Sequence, residues 1–299
     1  TGMDSVPLTD MGLIAWNTPE TNGTVENAYA IIPGAYDGGN GMLRVRSNGI
    51  PAKKLGDTLY FKIYAKLPDG SYLYSGLYNY SAKDYALDRL ANSSNAKMKA
   101  LCVAMLNYGA AAQTNFNYKP YAMMNASLTA KQQSLVSAYD SSMIGAVGSV
   151  SPAKAANFPY SGFSSRYPSV SFEGAFAISY YFTPSHTPDN GMKLYYWDTN
   201  AYANAINLTT ANASGVVDMT LNGSAYQGTV EGIAAKEIDN TIYVAGVYTC
   251  GGVTYTTGVL PYSLGEYCRD RIANGSAGMQ AFATATAVYG YYAKQYFAT

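Results

Sequence analysis

The chain repeats itself, and that repeat limits what it can fold into. Lys53-Lys54-Leu55-Gly56-Asp57-Thr58-Leu59-Tyr60 returns as Lys236-Glu237-Ile238-Asp239-Asn240-Thr241-Ile242-Tyr243. Tyr80-Ser81, Tyr85, Asp88-Arg89 and Ala91-Asn92 return as Tyr262-Ser263, Tyr267, Asp270-Arg271 and Ala273-Asn274. The offset runs only from 181 (Trp16 to Trp197, Tyr108 to Tyr289) to 183 (Lys53 to Lys236). Agreement in order, spacing and residue type over so long a stretch predicts two tandem versions of one domain, not a short-period solenoid.

Composition narrows the partners. With 19 basic and 19 acidic residues among 299, the chain has no basic face for phosphates and no acidic tail, which argues against nucleic acid and anionic membrane. No stretch approaches the ~18 apolar residues of a membrane span, so membrane insertion is not expected. The start at Thr1-Gly2 reads as an excised fragment. Cys102, Cys250 and Cys268 form an odd set without metal spacing; a Cys250–Cys268 bridge and buried free thiols are the open alternatives. Tyrosine, at 30 residues, is in excess. Its ring and hydroxyl suit surfaces that bind polar ligands with apolar faces, although tyrosine is also a good strand former.

Each half reads alike. Leu59, Phe61, Ile63, Ala65 and Leu67 alternate with polar or amphipathic residues, the period of a half-buried strand, and Pro68-Asp69-Gly70 turns the chain back. Met11 to Trp16 and Met192 to Trp197 are matched strands. Ser81-x-x-Asp84 and Ser263-x-x-Glu266 resemble capping boxes that open helices. Longer helices follow, with apolar faces Met98, Leu101, Cys102, Met105, Tyr108, Gly109, Ala112, Phe116 and the matched set from Met279 to Phe297. Gly109 and Gly290 cost helix propensity and so mark close packing against a sheet or sister helix.

The expected fold is therefore α+β: two small antiparallel β-sandwiches, each followed by an α-helical hairpin, forming two lobes. The predicted division is a first lobe over 1–120, a connector over 121–166 with a short helix at Leu128 to Tyr139, and a second lobe over 167–299. The second half carries an extra strand candidate, Val170 to Phe182; the first has only Thr1 to Asp10 in the corresponding space.

Catalytic chemistry has little to stand on. His186, the lone histidine, lies in a Pro-flanked turn, and no GxSxG, HExxH or P-loop occurs. Hydrolysis of a glycosidic bond needs two carboxylates about 5–10 Å apart. The repeat-matched acids are Asp84 and Glu266, read as caps, and Asp88 and Asp270, read as solvated helix residues unpaired with the neighbouring arginine. The expectation is a non-enzyme without metal or cofactor.

Aromatic loops are the better candidates. Trp16 and Trp197 sit where a strand enters a polar loop, followed by Asn17 or Asp198. Each indole is either a stacking platform for a sugar ring or a plug in the core of its sandwich; Leu13-Ile14-Ala15-Trp16 does not say which face points inward. Tyr195, Tyr196 and Tyr202 cluster around Trp197, and Tyr36 and Tyr78 are placed likewise for Trp16. Tyr80 and Tyr262 read as hydrophobic staples before the helix caps.

The runs Met105-Leu106-Asn107-Tyr108-Gly109-Ala110-Ala111-Ala112-Gln113, Gly49-Ile50-Pro51-Ala52-Lys53-Lys54-Leu55-Gly56-Asp57 and Tyr78-Asn79-Tyr80-Ser81 resemble a module of large secreted proteins of gut Firmicutes. More narrowly, their paired arrangement resembles the bilobed carbohydrate-binding domain of starch adherence system (amylosome) proteins. That resemblance implies a groove between lobes receiving α-1,4-glucan (starch, maltooligosaccharides), in a secreted or cell-surface multidomain protein. The alternative is a structural or adhesive spacer without glycan ligand. One stacked ring, burying ~40–60 Å² at ~25 cal/mol/Å², contributes about 1–1.5 kcal/mol. A dissociation constant near ~10 µM needs about 7 kcal/mol, so several groups must act along one groove.

Overall fold

The computed structural model describes residues 10–37, 42–45 and 49–298. Strand β1 (Met11–Trp16) and the long β5 (Leu59–Lys66) form where the sequence alternates, and they pair antiparallel with Leu13 opposite Ile63 and Ala15 opposite Phe61. Strands β2 (Ala30–Pro33), β6 (Tyr72–Tyr74) and β7 (Tyr78–Tyr80) complete a five-stranded antiparallel sheet. A separate two-stranded ribbon joins β3 (Ala35–Asp37) to β4 (Met42–Arg44). Helices α1 (Ala82–Asn92) and α2 (Ala96–Asn115) follow. Among the described residues this first sheet has no second layer, where a sandwich was expected.

The connector departs from expectation. Its helix, α3, covers only Ala130–Gln133. After Ser134 the ladder tightens into three-residue turns, Leu135 donating to Gln132 O at 3.0 Å and Val136 to Gln133 O at 3.3 Å, and the Ser137 amide then leaves it to donate to Tyr292 Oη at 2.8 Å. Beyond it, the single strand expected over Val170 to Phe182 is a hairpin of β8 (Phe163–Ser171) and β9 (Phe176–Pro184). Gly174 adopts φ of 140°, open to glycine, and lets the chain reverse between Phe172 and Phe176.

Strands β10 (Met192–Trp197), β11 (Gly215–Asn222), β12 (Ala225–Ile233), β13 (Ile242–Cys250), β14 (Val253–Thr256) and β15 (Leu260–Tyr262) join this hairpin in an eight-stranded antiparallel sheet. Its order is β14-β13-β10-β11-β12-β9-β8, with β15 also on β13. The short α4 (Thr199–Asn204) follows β10, and α5 (Leu264–Asn274) and α6 (Ala277–Phe297) close the chain. The order β1, β2, β5, β6, β7, α1, α2 thus recurs as β10, β11, β13, β14, β15, α5, α6.

The main core lies under one face of the eight-stranded sheet. Phe176, Ile178, Tyr180 and Phe182 of β9 meet Leu194, Val244 and Phe282, all buried. One side of helix α2 joins this core, where Tyr108 stacks on its repeat-matched Tyr289 (5.0 Å, 15°) and on Phe282 (5.6 Å); its other side packs Cys102, Val103, Leu106 and Ala110 with Ala86 and Leu90 of α1 and Met124 in a second cluster. The two halves therefore meet through packed helices at this point, not across an open groove. The helix glycines serve neither sheet nor sister helix. A Cβ on Gly109 would meet Met124 Sδ at 2.1 Å, and one on Gly290 would meet Ile238 Cβ at 2.8 Å.

Helix starts follow the sequence. Ser81 and Ser263 each accept the amide three residues on at 3.0 Å. The expected boxes are only half formed, because neither acid takes the serine's own amide: Asp84 accepts the Ser81 hydroxyl (2.7 Å) and Glu266 pairs with Arg269 (2.8 Å). The thiols are free, Cys102 and Cys268 buried and Cys250 half-buried, so no bridge forms.

Candidate functional site

Both tryptophans are buried, Trp16 6% exposed and Trp197 fully enclosed. Of the two alternatives the platform is overturned, because neither ring is accessible to a sugar. Nor does Trp197 plug the main core: it lies on the opposite face of β10, with Phe158, Tyr202, Leu208 and Tyr243. Its indole N–H donates to Asn212 Oδ1 at 2.9 Å. Trp16 donates to the Asn27 carbonyl at 3.1 Å and packs so tightly on Gly23 that a Cβ there would lie 2.2 Å from the ring. The physical cause is shared. Each strand has apolar residues on both faces, and the loop after it folds back over the indole.

Other expected site residues scatter. Asp198 caps α4, accepting the Ala201 amide at 2.8 Å and the Ser214 hydroxyl at 3.1 Å, so its carboxylate is committed. Tyr202 is buried, stacked on Tyr243 at 3.6 Å, with its hydroxyl accepting the Ser151 amide at 2.7 Å. Tyr195 is half-buried beside Trp197. Asn17 is exposed at the end of β1. Tyr78 is 53% exposed but stacks on Phe61 on the first sheet, away from the second-half cluster. Tyr36 lies in β3, and its side chain falls outside the described residues. Tyr196 lines a cleft.

That cleft belongs to a larger trough which sequence reading missed. On the outer face of β8, β9 and β12 the cross-strand register sets Tyr167 opposite Tyr181 and Tyr181 opposite Gln227. The next row is Ser169, Ser179 and Thr229, and beyond it Ser171 faces Ala177. Small side chains in the inner rows leave a depression of about 1110 Å³. Tyr181 bounds one end; Glu173, Gly174, Gly49 and Ile50 bound the other. Gly49 and Ile50 come from the first half, so this cleft sits where the halves adjoin. The Lys53–Glu173 ion pair (2.7 Å) and the Ala52 amide donating to Phe172 O (3.2 Å) fasten that junction.

The trough continues sideways. Strands β11 and β12 pair only over Thr220–Asn222 and Ala225–Gln227; beyond that β11 stays with β10 and β12 with β9. The strands part, leaving a cleft of about 610 Å³ lined by Tyr196, Asp218, Thr220 and again Gln227, Thr229 and Glu231. The polar groups are mutually oriented: Ser179 and Thr229 hydroxyls lie 2.9 Å apart, Gln227 Nε2 donates to Ser179 Oγ at 3.4 Å, and Ser169 Oγ donates to Tyr181 Oη at 3.5 Å. Tyr167 stacks on Tyr181 at 5.0 Å and 11°, with half its surface (52%) open. Hydroxyls and an amide that both donate and accept, beside a flat ring pair, suit a neutral polyhydroxylated ligand.

The acids elsewhere are occupied. Contrary to expectation, Asp88 pairs with adjacent Arg89 at 2.6 Å and Asp270 with Arg271, because an arginine reaches back across one helix position. Asn92 and then Arg89 hold the Asp88 carboxyl below its ordinary range, as Asn274 and Arg271 do for Asp270. His186 stacks on Tyr255 at 4.7 Å, its Nδ1 3.2 Å from Tyr248 Oη. Among the described residues no His, Cys, Asp and Glu cluster could hold a metal, and no helix is long and apolar enough to cross a membrane.

No protein-family model and no curated protein matches the chain. Among solved structures, "Crystal structure of Br derivative BhCBM56" is similar over 34% of this chain and 99% of its own, at 14% identity and a TM-score of 0.22. A likeness that slight bears on neither fold nor function.

Proposed function

We propose that this chain is a non-catalytic glycan-binding domain and that the trough on β8, β9 and β12 receives the sugar. The observation that carries the reading is the trough itself: half-buried Ser169, Gln227 and Thr229 around a buried Ser179, beside the stacked Tyr167–Tyr181 pair. Its length across three strands accommodates several contacts, which the weak energy of one stacked ring requires. The finer ligand, an α-1,4-glucan such as starch or a maltooligosaccharide, is supported by the resemblance of the quoted runs to amylosome proteins. So is a secreted or cell-surface setting within a larger multidomain protein. A non-catalytic role is supported by the use of Asp84, Glu266, Asp88 and Asp270 as caps and ion pairs.

A second reading has its own support. Two buried tryptophans and a packed α2–α6 contact are what a structural or adhesive spacer would have. Native gel electrophoresis with and without soluble starch separates the two. Retardation by starch, with no reducing sugar released over prolonged incubation, is the expected result. Unchanged mobility supports the spacer, and sugar release lost on mutating one carboxylate would make the domain an enzyme.

A further inference from the structure

We infer that Glu231 sets the charge class of the trough's ligand: its carboxylate accepts hydroxyls of a neutral sugar chain and turns away glycans that carry uronate or sulfate. The assignment rests on the glycan reading above and takes it one step further, to the kind of glycan that fits. It begins with an irregularity in β12. Val230 lies opposite Ile178 and Ile233 opposite Phe176, so three steps along β12 face two along β9. The extra residue makes a bulge at Glu231 and Gly232, with Gly232 at φ of 77°. A bulge frees its residues from the ladder and re-aims their side chains. Glu231 is exposed where the trough and the cleft beside it meet, and it lines both.

The charges around it do not balance. Glu173, Asp218 and Glu231 line the two clefts, and no lysine, arginine or histidine does so among the described residues. Glu173 pairs with Lys53 (2.7 Å) and Asp218 with Lys193 (2.6 Å), both lysines lying outside the linings. Glu231 has no ion pair or hydrogen bond among the described residues. A carboxylate is acceptor-only, so what it lacks is a donor. Sugar hydroxyls supply donors, and their bonds to a carboxylate are charge-assisted. Gln227, Thr229 and Glu231 follow one another along β12 at every second position, about 6.6–6.8 Å apart in a regular strand. A sugar chain lying along β12 thus meets an amide, a hydroxyl and a carboxylate in turn. A uronate or sulfate group in the same place meets a like charge and no free cation. Repulsion of the wrong ligand adds to specificity as attraction of the right one does.

The probes are maltoheptaose and the same oligosaccharide oxidised to uronic acid at C6, titrated at low salt into the parent chain, Glu231→Gln and Glu26→Gln. The parent should bind the neutral sugar at least about tenfold more tightly than the oxidised one. Glu231→Gln keeps the side chain's size and removes its charge, and a thermal melt shows that it is folded. It should weaken maltoheptaose a few-fold and strengthen the oxidised sugar, bringing the two within about threefold of each other. Opposite changes for two sugars are not what a merely structural residue would give. Glu26, an exposed acid of the first half outside both clefts, should leave the ratio unchanged when made glutamine. Equal binding of both sugars by the parent, or a ratio that Glu231→Gln leaves intact, overturns the assignment while the glycan reading stands. So does a ratio that Glu26→Gln closes equally, which would make net charge the cause. No binding of maltoheptaose to the parent at about 1 mM overturns the glycan reading itself, and this assignment with it.

Discussion

Replacing Trp197 with alanine tests the division between core and site. The indole is fully enclosed and touches Phe158 edge-on at 5.2 Å. A buried aromatic of this size contributes ~150–250 Å² of hidden surface, and its truncation to alanine costs about 3–5 kcal/mol. The lost hydrogen bond adds little, because Asn212 Oδ1 keeps the Thr209 amide at 2.9 Å. With a domain stability of ~5–15 kcal/mol, Trp197→Ala should remain folded at low temperature. At about 2–4 °C per kcal/mol the melting temperature should fall by roughly 6–20 °C. Circular dichroism melts give that shift, and calorimetry well below the melt gives glycan affinity. Affinity within about twofold of the parent is expected, since Trp197 lines neither part of the trough. A melt lowered by less than about 2 °C, or sugar binding abolished while the fold persists, would show that Trp197 serves the binding site and not the core.

The matched helix glycines should behave differently. Gly290→Ala gains about 1 kcal/mol of helix propensity but drives its Cβ into the branched, buried Ile238, for a net loss of about 1–2 kcal/mol in a denaturant melt. Gly109→Ala meets the flexible Met124 thioether and should lose less; the reverse order would show that Met124 is the less yielding of the two neighbours. Burial pushes the Cys102 thiol up to about 11 and Cys268 up to about 12, so in the folded chain Cys250 should be the first thiol to react with a disulfide reagent near pH 8. Rapid labelling of Cys268 in the native state would contradict its burial.

Local signals were legible where one face of an element is polar. Strands β1, β5 and β10 begin where alternation or repeat matching places them, and Ser81 and Ser263 cap their helices through a local hydroxyl–amide contact. The β8–β9 hairpin was hidden because Tyr180 points into the core while Tyr181 points out, so tyrosine on both faces erases the period. The tryptophans misled for the same reason, with apolar neighbours on both sides. The trough could not be read at all: Ser169, Ser179 and Thr229 become neighbours only through pairing between β8, β9 and β12. Their individual types, small and polar in a strand, carry no signal of their own.

Binding of an α-1,4-glucan in the trough, as proposed above, is open to direct measurement. Isothermal titration with maltoheptaose and cellohexaose, against the parent chain and Tyr181→Ala, tests it most directly. Tyr181 lines the trough and carries the Tyr167 ring, and its removal should cost about 1–3 kcal/mol of binding, a loss of roughly tenfold or more. Saturable binding of maltoheptaose, weak or no binding of cellohexaose, and that loss in a Tyr181→Ala chain that a thermal melt shows to be folded are the expected results. No heat with either sugar, or maltoheptaose bound equally well by Tyr181→Ala, would contradict it.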